Sequence, residues 1–177
     1  MRVLAALSCA ILVLGDAAPV AAAPAPQMAL SRLTVGVDIT VPASVNLGVG
    51  FAGGTLTGAL GTVEVRDQRG PTNPNTWVAT VSATIFVTGA GGPQRTITRD
   101  QIRYWSGPAT RSTGGGTLVP GQPTQAQAVT LDVTREAFRK TSGNGNNNMR
   151  WSPTVRVAIP AGIVAGVYSG TITHSVA

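Results

Sequence analysis

Few side chains in this sequence are of the types that carry out catalysis or bind transition metals. His174 is the only histidine and Cys9 is the only cysteine. A serine hydrolase triad would have to combine His174 with an acid such as Asp132, and no serine lies in a nucleophile-elbow sequence. One histidine and one cysteine are also too few ligands for a transition-metal site. We therefore expect a protein that is not an enzyme and that uses no metal or cofactor.

The acidic side chains do not form the facing pair that glycoside hydrolysis requires. Glu64 and Asp67 are three residues apart in a segment with strand character, so they would project from opposite faces of a continuing strand. Calcium binding through Asp67 lacks further oxygen ligands at regular spacing. The sequence therefore favours neither hydrolysis by paired acids nor a calcium site.

The aromatic residues are the remaining candidates for ligand contact, because exposed rings in a row can stack on sugars. Trp77 and Trp151 begin predicted strands, and aromatic rings at such positions usually fill the core. Tyr104 and Trp105 precede a Gly-Pro loop and are the best candidates for exposure. The candidate wall or ligand contacts are therefore Trp77, Tyr104 and Trp105.

The N-terminus has the composition of a secretory signal peptide. Arg2 precedes an apolar run over residues 3–14, and residues 20–22 provide a small-residue cleavage site. The run is too short to span a membrane. We expect residues 1–22 to be removed on export together with Cys9, which leaves a mature chain without thiols or disulfides. The alternative is that the apolar run forms a buried N-terminal helix.

The charge balance is basic but sparse. The chain has 13 basic and 7 acidic residues, a net charge of +6, and only 11% charged residues. The basic residues are scattered and almost all are arginine, whereas nucleic-acid-binding domains concentrate their charge on one face. We expect no nucleic-acid partner. An exported basic protein can bind an anionic wall polymer, although a simply solvated surface explains the same composition.

Alternation of apolar and polar residues with a period of two dominates the rest of the chain. Such runs occur at 33–39, 45–49, 60–67, 76–86, 129–133, 154–159 and 168–176. Short strands at this spacing predict an all-β, immunoglobulin-like antiparallel sandwich of about eight or nine strands. We expect a loose segment at 23–31 and one domain at 32–177. Residues 135–140 could form one helical turn, and 112–121 and 143–148 are predicted loops.

The last 27 residues predict a hairpin that completes a sheet. A strand before Pro160 is broken by Pro160-Ala161-Gly162, since proline lacks the N–H for ladder pairing. The following strand places one set of alternate residues on a common face: Tyr168, Gly170, Ile172, His174 and Val176.

Two segments resemble the signatures of the WxL surface domain family. Residues 60–67 followed by 76–83 are similar to its first signature, in which a strand and a turn precede a Trp-x-Leu strand. The chain from Pro160 onward is similar to the closing strand that carries the second Trp-x-Leu. The positions that match the two motifs are Trp77 and Ala79, and His174 and Val176. Only Trp77 keeps the family residue, and the Arg-rich, Ala/Gly-rich composition suggests an actinobacterial relative.

The resemblance implies a secreted immunoglobulin-like domain held non-covalently on a Gram-positive cell wall, through peptidoglycan or a partner surface protein. We therefore expect a non-enzymatic surface domain in which His174 is a partly buried packing residue. Two alternatives remain. The first is a soluble carbohydrate-binding module that uses Tyr104 and Trp105. The second is a structural subunit that docks through an edge strand.

Overall fold

The computed structural model describes residues 3–13, 36–71, 75–143 and 145–177. The predicted loose segment at 23–31, the cleavage position after Ala22 and the start of the strand predicted from residue 33 lie outside these residues. The strands of the described part are β1 (Val3–Val13), β2 (Val37–Thr40), β3 (Ser44–Gly50), β4 (Thr55–Ala59), β5 (Val63–Asp67), β6 (Trp77–Ala83), β7 (Phe86–Val87), β8 (Thr96–Ile97), β9 (Ile102–Trp105), β10 (Ala109–Thr113), β11 (Leu118–Pro120), β12 (Val129–Thr130), β13 (Arg135–Lys140), β14 (Asn147–Trp151), β15 (Thr154–Ala158) and β16 (Gly166–Val176). Two 3₁₀ turns lie at Arg99–Gln101 and Gln125–Gln127.

Three sheets enclose the core. The first has the order β11-β13-β6-β16-β1-β3, with β7 paired to β16 and β8 paired to β7. The second has the order β10-β14-β5-β2 and the third β12-β9-β15-β4. Neighbouring strands are antiparallel except β1 and β3, which run parallel. The prediction of an all-β sandwich is confirmed. The strands outnumber the eight or nine expected because segments that were predicted as a leader, loops or a helical turn also form strands, among them β1, β11, β13 and β14.

The segment around Pro42 separates the strands of two predicted runs, 33–39 and 45–49, and these strands lie in different sheets. β2 belongs to the second sheet and β3 to the first, so the chain changes sheets at residues 41–43. Proline cannot donate a ladder hydrogen bond, which makes it suited to the point where pairing changes. A similar break follows β6, where Ile85 is 45% exposed and Phe86 is buried. The single face predicted for residues 77–86 is therefore correct only as far as Ala83.

The core-facing residues of the closing hairpin match the predicted alternation. Tyr168, Ile172, His174 and Val176 are all buried. β16 pairs with β6 along one edge and with β1 along the other. The predicted role of the closing strand as part of a sheet is confirmed, and its position is internal.

Three local predictions were wrong because long-range pairing outweighs local propensity. Residues 135–140 form β13, which pairs antiparallel with β6, and not a helical turn. Asn147 and Asn148, expected in a polar loop, begin β14 and pair with β5. The predicted loop at 112–121 likewise contains the end of β10 and all of β11.

The apolar run of the predicted leader forms β1, an internal strand of the first sheet. Leu7, Cys9 and Ile11 are buried, whereas Leu4 on the opposite face is 68% exposed. The alternative of a buried N-terminal helix is therefore wrong in the type of element, since these residues pair as a strand. Removal of this segment on export stays a prediction.

We expect Leu7→Ala to lower the free energy of unfolding of the full-length chain by about 2–5 kcal/mol, because it removes a fully buried side chain. The matched change Leu4→Ala should alter it by less than about 0.5 kcal/mol. Urea unfolding of protein produced in the cytoplasm, with residues 1–22 retained, measures both. Equal effects of the two changes would show that β1 is not seated in the sheet in solution.

Candidate functional site

The candidate site is the space that β1 fills between β3 and β16, named here the β3–β16 groove. Along β16 the pairing is antiparallel over the 11 residues of β1, from Val3 opposite Val176 to Val13 opposite Gly166. Along β3 it is parallel, from Ser8 opposite Ser44 to Val13 opposite Gly50, with an irregularity between Ala10 and Leu12. The groove therefore offers backbone donors and acceptors on both sides to one inserted strand.

The inner face of β1 alternates with its exposed face along the groove. Val3 and Ala5 are partly buried near one end, and Leu7, Cys9 and Ile11 are completely enclosed further along. Such a groove selects a strand that has an apolar residue at every second position.

Gly170 keeps the middle of the groove narrow. It lies opposite Cys9, and a side chain at residue 170 would overlap the ring of Phe86, which occupies that space. The absence of a Cβ at residue 170 therefore lets Phe86 pack under the groove. The middle of β1 then carries a small residue, Cys9, between the larger Leu7 and Ile11.

The thiol of Cys9 is inert in this position. Burial raises its pKa to about 12, so the reactive thiolate is scarce at neutral pH. It is a free cysteine and the only cysteine of the chain. Its protection from reagents therefore reports directly whether β1 occupies the groove.

An exposed apolar cluster lies at the end of the groove where β1 finishes. Leu12 pairs with Val49 on one side and Val167 on the other. Val49 is 45% exposed, Val167 57% and Phe51, one residue beyond β3, 70%. We call Val49, Phe51 and Val167 the end patch. Clustered exposed apolar side chains mark interaction surfaces more often than scattered ones do.

His174 lies in the core beneath the groove. Its Nε2 is 3.2 Å from the hydroxyl of Tyr104, and the Nε1 of Trp151 donates to that hydroxyl at 3.4 Å. The His174 ring centroid is 5.8 Å from that of Tyr104 and 6.2 Å from that of Trp151. The expected partial burial is corrected to complete burial, because three sheets contribute residues around the ring.

The hydrogen bonds fix the tautomer of His174. The indole of Trp151 can only donate, so the Tyr104 hydroxyl accepts from it and gives its own hydrogen to Nε2 of His174. Neutral His174 must then carry its hydrogen on Nδ1, which is buried and without a hydrogen-bond partner. Burial also lowers the pKa of His174 to about 3. This arrangement serves a neutral packing residue and not a general base working near pH 7.

The depressed pKa of His174 makes stability depend on pH. Unfolding restores a pKa near 6.5, so the unfolded chain binds more protons than the folded chain below that pH and stability falls as the solution is acidified. We expect a loss of about 2 kcal/mol between pH 6.5 and pH 5. This window lies above the ordinary carboxylate range, and His174 is the only histidine.

Urea unfolding of the full-length chain at pH 5, 6, 7 and 8 measures this loss. His174→Phe is the control, because it removes the titrating group while keeping a ring of similar size. An equal decline of stability in this variant would show that other groups cause the pH dependence.

The structure separates the three aromatic residues predicted to contact a wall or ligand. Trp77 and Tyr104 are buried, whereas Trp105 is half-buried. Tyr104 was expected to be exposed beside its Gly-Pro loop, but β9 is held between β12 and β15, which turns its side chain into the core. Trp151 is also buried. A row of exposed rings for sugar stacking is therefore not formed by these residues.

The positions matching the two WxL motifs lie on neighbouring strands. Val176 is directly opposite Ala79, and His174 is opposite Val81. Trp77 begins the same strand as Ala79 and donates from Nε1 to the Oδ1 of Asn147 at 3.3 Å. All four matching positions are buried, so they contribute to the core and not to a surface.

The acidic residues near these strands are engaged by arginines. The Glu64 carboxylate lies 2.6 Å from Arg66 and 3.0 Å from Arg150. Asp67 accepts two hydrogen bonds from the guanidinium of Arg69 at 2.9 and 2.8 Å. Burial acts to raise the pKa of Asp67, but these hydrogen bonds outweigh it and lower that pKa. Such carboxylates serve local structure.

Two arginines face each other on the third sheet without an acidic partner. Arg103 on β9 lies directly opposite Arg156 on β15, and both are exposed. The ion pairs of the described residues include neither side chain. Gln101 and Gln125 line the same depression, as does Asp100. Like charges directly opposite each other destabilise a sheet, so this pair favours binding of an anion.

The described part of the chain was compared with the side-chain clusters that bind metals and with the helices that span membranes. Its histidine, cysteine, aspartate and glutamate side chains do not gather in any group of three or more that could hold a metal ion. Its only helical elements are single 3₁₀ turns, and none has the length and apolar character of a membrane-spanning helix.

Comparison with known proteins does not add a relative. No model of a protein family matches the sequence, and no curated protein matches it either. The fold and the groove therefore define the class of this protein: an all-β sandwich whose first sheet has an N-terminal strand inserted between β3 and β16.

Proposed function

We propose that this chain is an exported, non-enzymatic structural subunit that docks by accepting a separate strand into the β3–β16 groove. The observation that carries this proposal is the identity of β1. The strand that completes the first sheet has the composition of a removable export leader. If export removes residues 1–22, the groove loses its occupant and must take another strand.

The need for a new strand follows from what an empty groove would expose. β16 and β3 would each present an unpaired row of backbone N–H and C=O groups, which is a template for pairing with another chain. The pockets that hold Leu7 and Ile11 would open to water, at a cost of about 1.5–3 kcal/mol for each large side chain. Strand addition at a sheet edge, with alternate side chains in pockets, satisfies both demands.

The resemblance to the WxL surface domain supports placing such a subunit at the cell surface. The pairing of Val176 with Ala79, which joins the two motif-matching segments in one sheet, is consistent with that relationship. Because the matching positions are buried, we propose that they maintain the sheet while other surfaces make external contacts.

We expect a strand in the groove to be exchangeable once it is no longer covalently attached. In a full-length chain with a protease site between Ala22 and Ala23, cleavage should leave fragment 1–22 bound. An excess of a synthetic peptide of residues 3–13 with Cys9→Ser should then displace that fragment. Reaction of Cys9 with a maleimide measures displacement, since the buried thiol becomes accessible only when β1 leaves.

Two peptide variants provide matched controls for this exchange. Leu7→Asp places a charge in a buried position and should abolish displacement, whereas Leu4→Asp changes an exposed position and should preserve it. The uncut chain should keep Cys9 protected with any of the peptides. The proposal fails if the unaltered 3–13 peptide does not displace fragment 1–22 from the cut chain, or displaces it no better than its Leu7→Asp form does.

A second candidate function, attachment to an anionic cell-wall polymer, is favoured by the Arg103–Arg156 pair. Two exposed positive charges held opposite each other gain electrostatic stabilisation from a bound polyanion. This is the surface that we propose for contact with an anionic glycopolymer or peptidoglycan preparation.

We expect Arg103→Gln with Arg156→Gln to weaken co-sedimentation of the full-length chain with purified Gram-positive cell walls at low salt. The reference is Arg95→Gln with Arg139→Gln, which removes the same charge from other exposed positions. Binding by the wild-type chain should decline as salt screens the charges. Equal losses in both double variants would indicate a general charge effect and contradict a site at Arg103 and Arg156.

A further inference from the structure

We propose that the strand entering the β3–β16 groove is the N-terminal segment of a second copy of this chain, residues 27–36. This inference rests on the proposed function and names its partner. After removal of residues 1–22, that segment would lie close to the new N-terminus. Each copy would then have one groove that accepts a strand and one segment that provides it.

The direction of β1 excludes one alternative, in which residues 27–36 fill the groove of their own chain and run in the same direction as β1. The occupant runs parallel to β3 and therefore ends beside Gly50. β2 instead precedes the opposite end of β3, at Ser44, and contacts β1. Six residues of strand separate Gly50 from Ser44, about 20 Å. If residues 23–33 replaced the 11 residues of β1, only 34–36 would remain for the return, and they reach about 14 Å.

A second copy has no such restriction, because its chain leaves the groove and enters its own domain. Its β2 begins at Val37, immediately after the inserted segment. The body of the second copy must therefore lie beside the end of the groove at Gly50 and Gly166. That is the location of the end patch, whose exposed Phe51 and Val167 would be covered by the arriving domain.

The sequence of the segment suits an inserted strand. Ala29, Ser31, Leu33 and Val35 alternate with Met28, Leu30, Arg32 and Thr34, and this second set is polar only in its last two members. The first set supplies small and apolar side chains at every second position, which is the spacing of the pockets filled by β1. Prolines at 24 and 26 cannot donate ladder hydrogen bonds, so we place the start of the inserted strand after them.

The resulting contact is head-to-tail, since the groove of one copy holds a different surface of the next. Heterologous contacts of this kind close into rings or extend into filaments, depending on the rotation between copies. Reciprocal exchange between two copies would fill both grooves and close at a dimer. One-way insertion leaves a groove free at each step and gives linear or ring-shaped oligomers of the exported chain.

The experiment uses the full-length chain with the protease site between Ala22 and Ala23. Size-exclusion chromatography with light scattering should show that the cut chain is monomeric with fragment 1–22 bound at low concentration. At high concentration it should form oligomers of residues 23–177, because residues 27–36 of other copies displace fragment 1–22. Leu33→Asp should abolish the oligomers, while the matched Thr34→Asp should retain them. Phe51→Ser in the end patch should lower the oligomer fraction without preventing peptide exchange.

A second measurement does not require soluble oligomers. A synthetic peptide of residues 27–36 should displace fragment 1–22 from the cut chain and make Cys9 reactive, and its Leu33→Asp form should fail to do so. Oligomers that survive Leu33→Asp would overturn this inference, as would a folded monomer whose own segment has entered its groove in reverse. Both results leave exchange with the 3–13 peptide intact and the proposed function standing, whereas failure of that exchange overturns both.

Discussion

β16 depends on a partner strand at each of its edges. β6 pairs with one edge and β1 with the other, and β1 in turn connects β16 to β3. Backbone groups at either edge that lacked a partner would be exposed to water or to another chain. Leu7 and Ile11 close the core over the same strand. Completing the sheet and filling the groove are therefore one physical event.

The polar core beneath the groove is linked to the same strand. His174 lies opposite Ala5 of β1, and directly opposed residues of an antiparallel pair project on the same side of the sheet. Because the side chain of Ala5 is small, the ring of His174 packs against Tyr104 and Trp151. Removal of β1 would open one side of His174 to water, relieving the desolvation that lowers its pKa. Strand occupancy and the protonation of His174 are thus coupled through burial.

Much of the fold could be predicted from residue alternation, since burial of one sheet face imposes a period of two. The buried face of β16 and the core positions of Trp77 and Trp151 follow from that pattern. Tyr104 could not be placed this way, because its exposure depends on which strands flank β9. Residues 135–140 were misassigned for the same reason, as pairing with β6 decides their conformation.

The groove itself was beyond sequence reasoning, although strand docking was one of the alternatives that the sequence left open. A short apolar run has the same composition whether it is a leader, a buried helix or a buried strand. The pairing partners of residues 3–13 therefore had to come from the structure. Only then does the leader-like segment become informative about how the protein assembles.

The outer face of β1 supports the proposal that β1 is a removable export leader and only a temporary occupant of the groove. The sheet requires apolar residues only at the inward positions, yet Leu4 is apolar and 68% exposed. An export leader requires a continuously apolar run, which accounts for this excess. The part of residues 27–36 from Ser31 onward instead places Arg32 and Thr34 between Ser31, Leu33 and Val35, so one face of that part is polar. A strand that remains in a sheet with one face in water has this alternation, which favours the second segment as the lasting occupant of the groove.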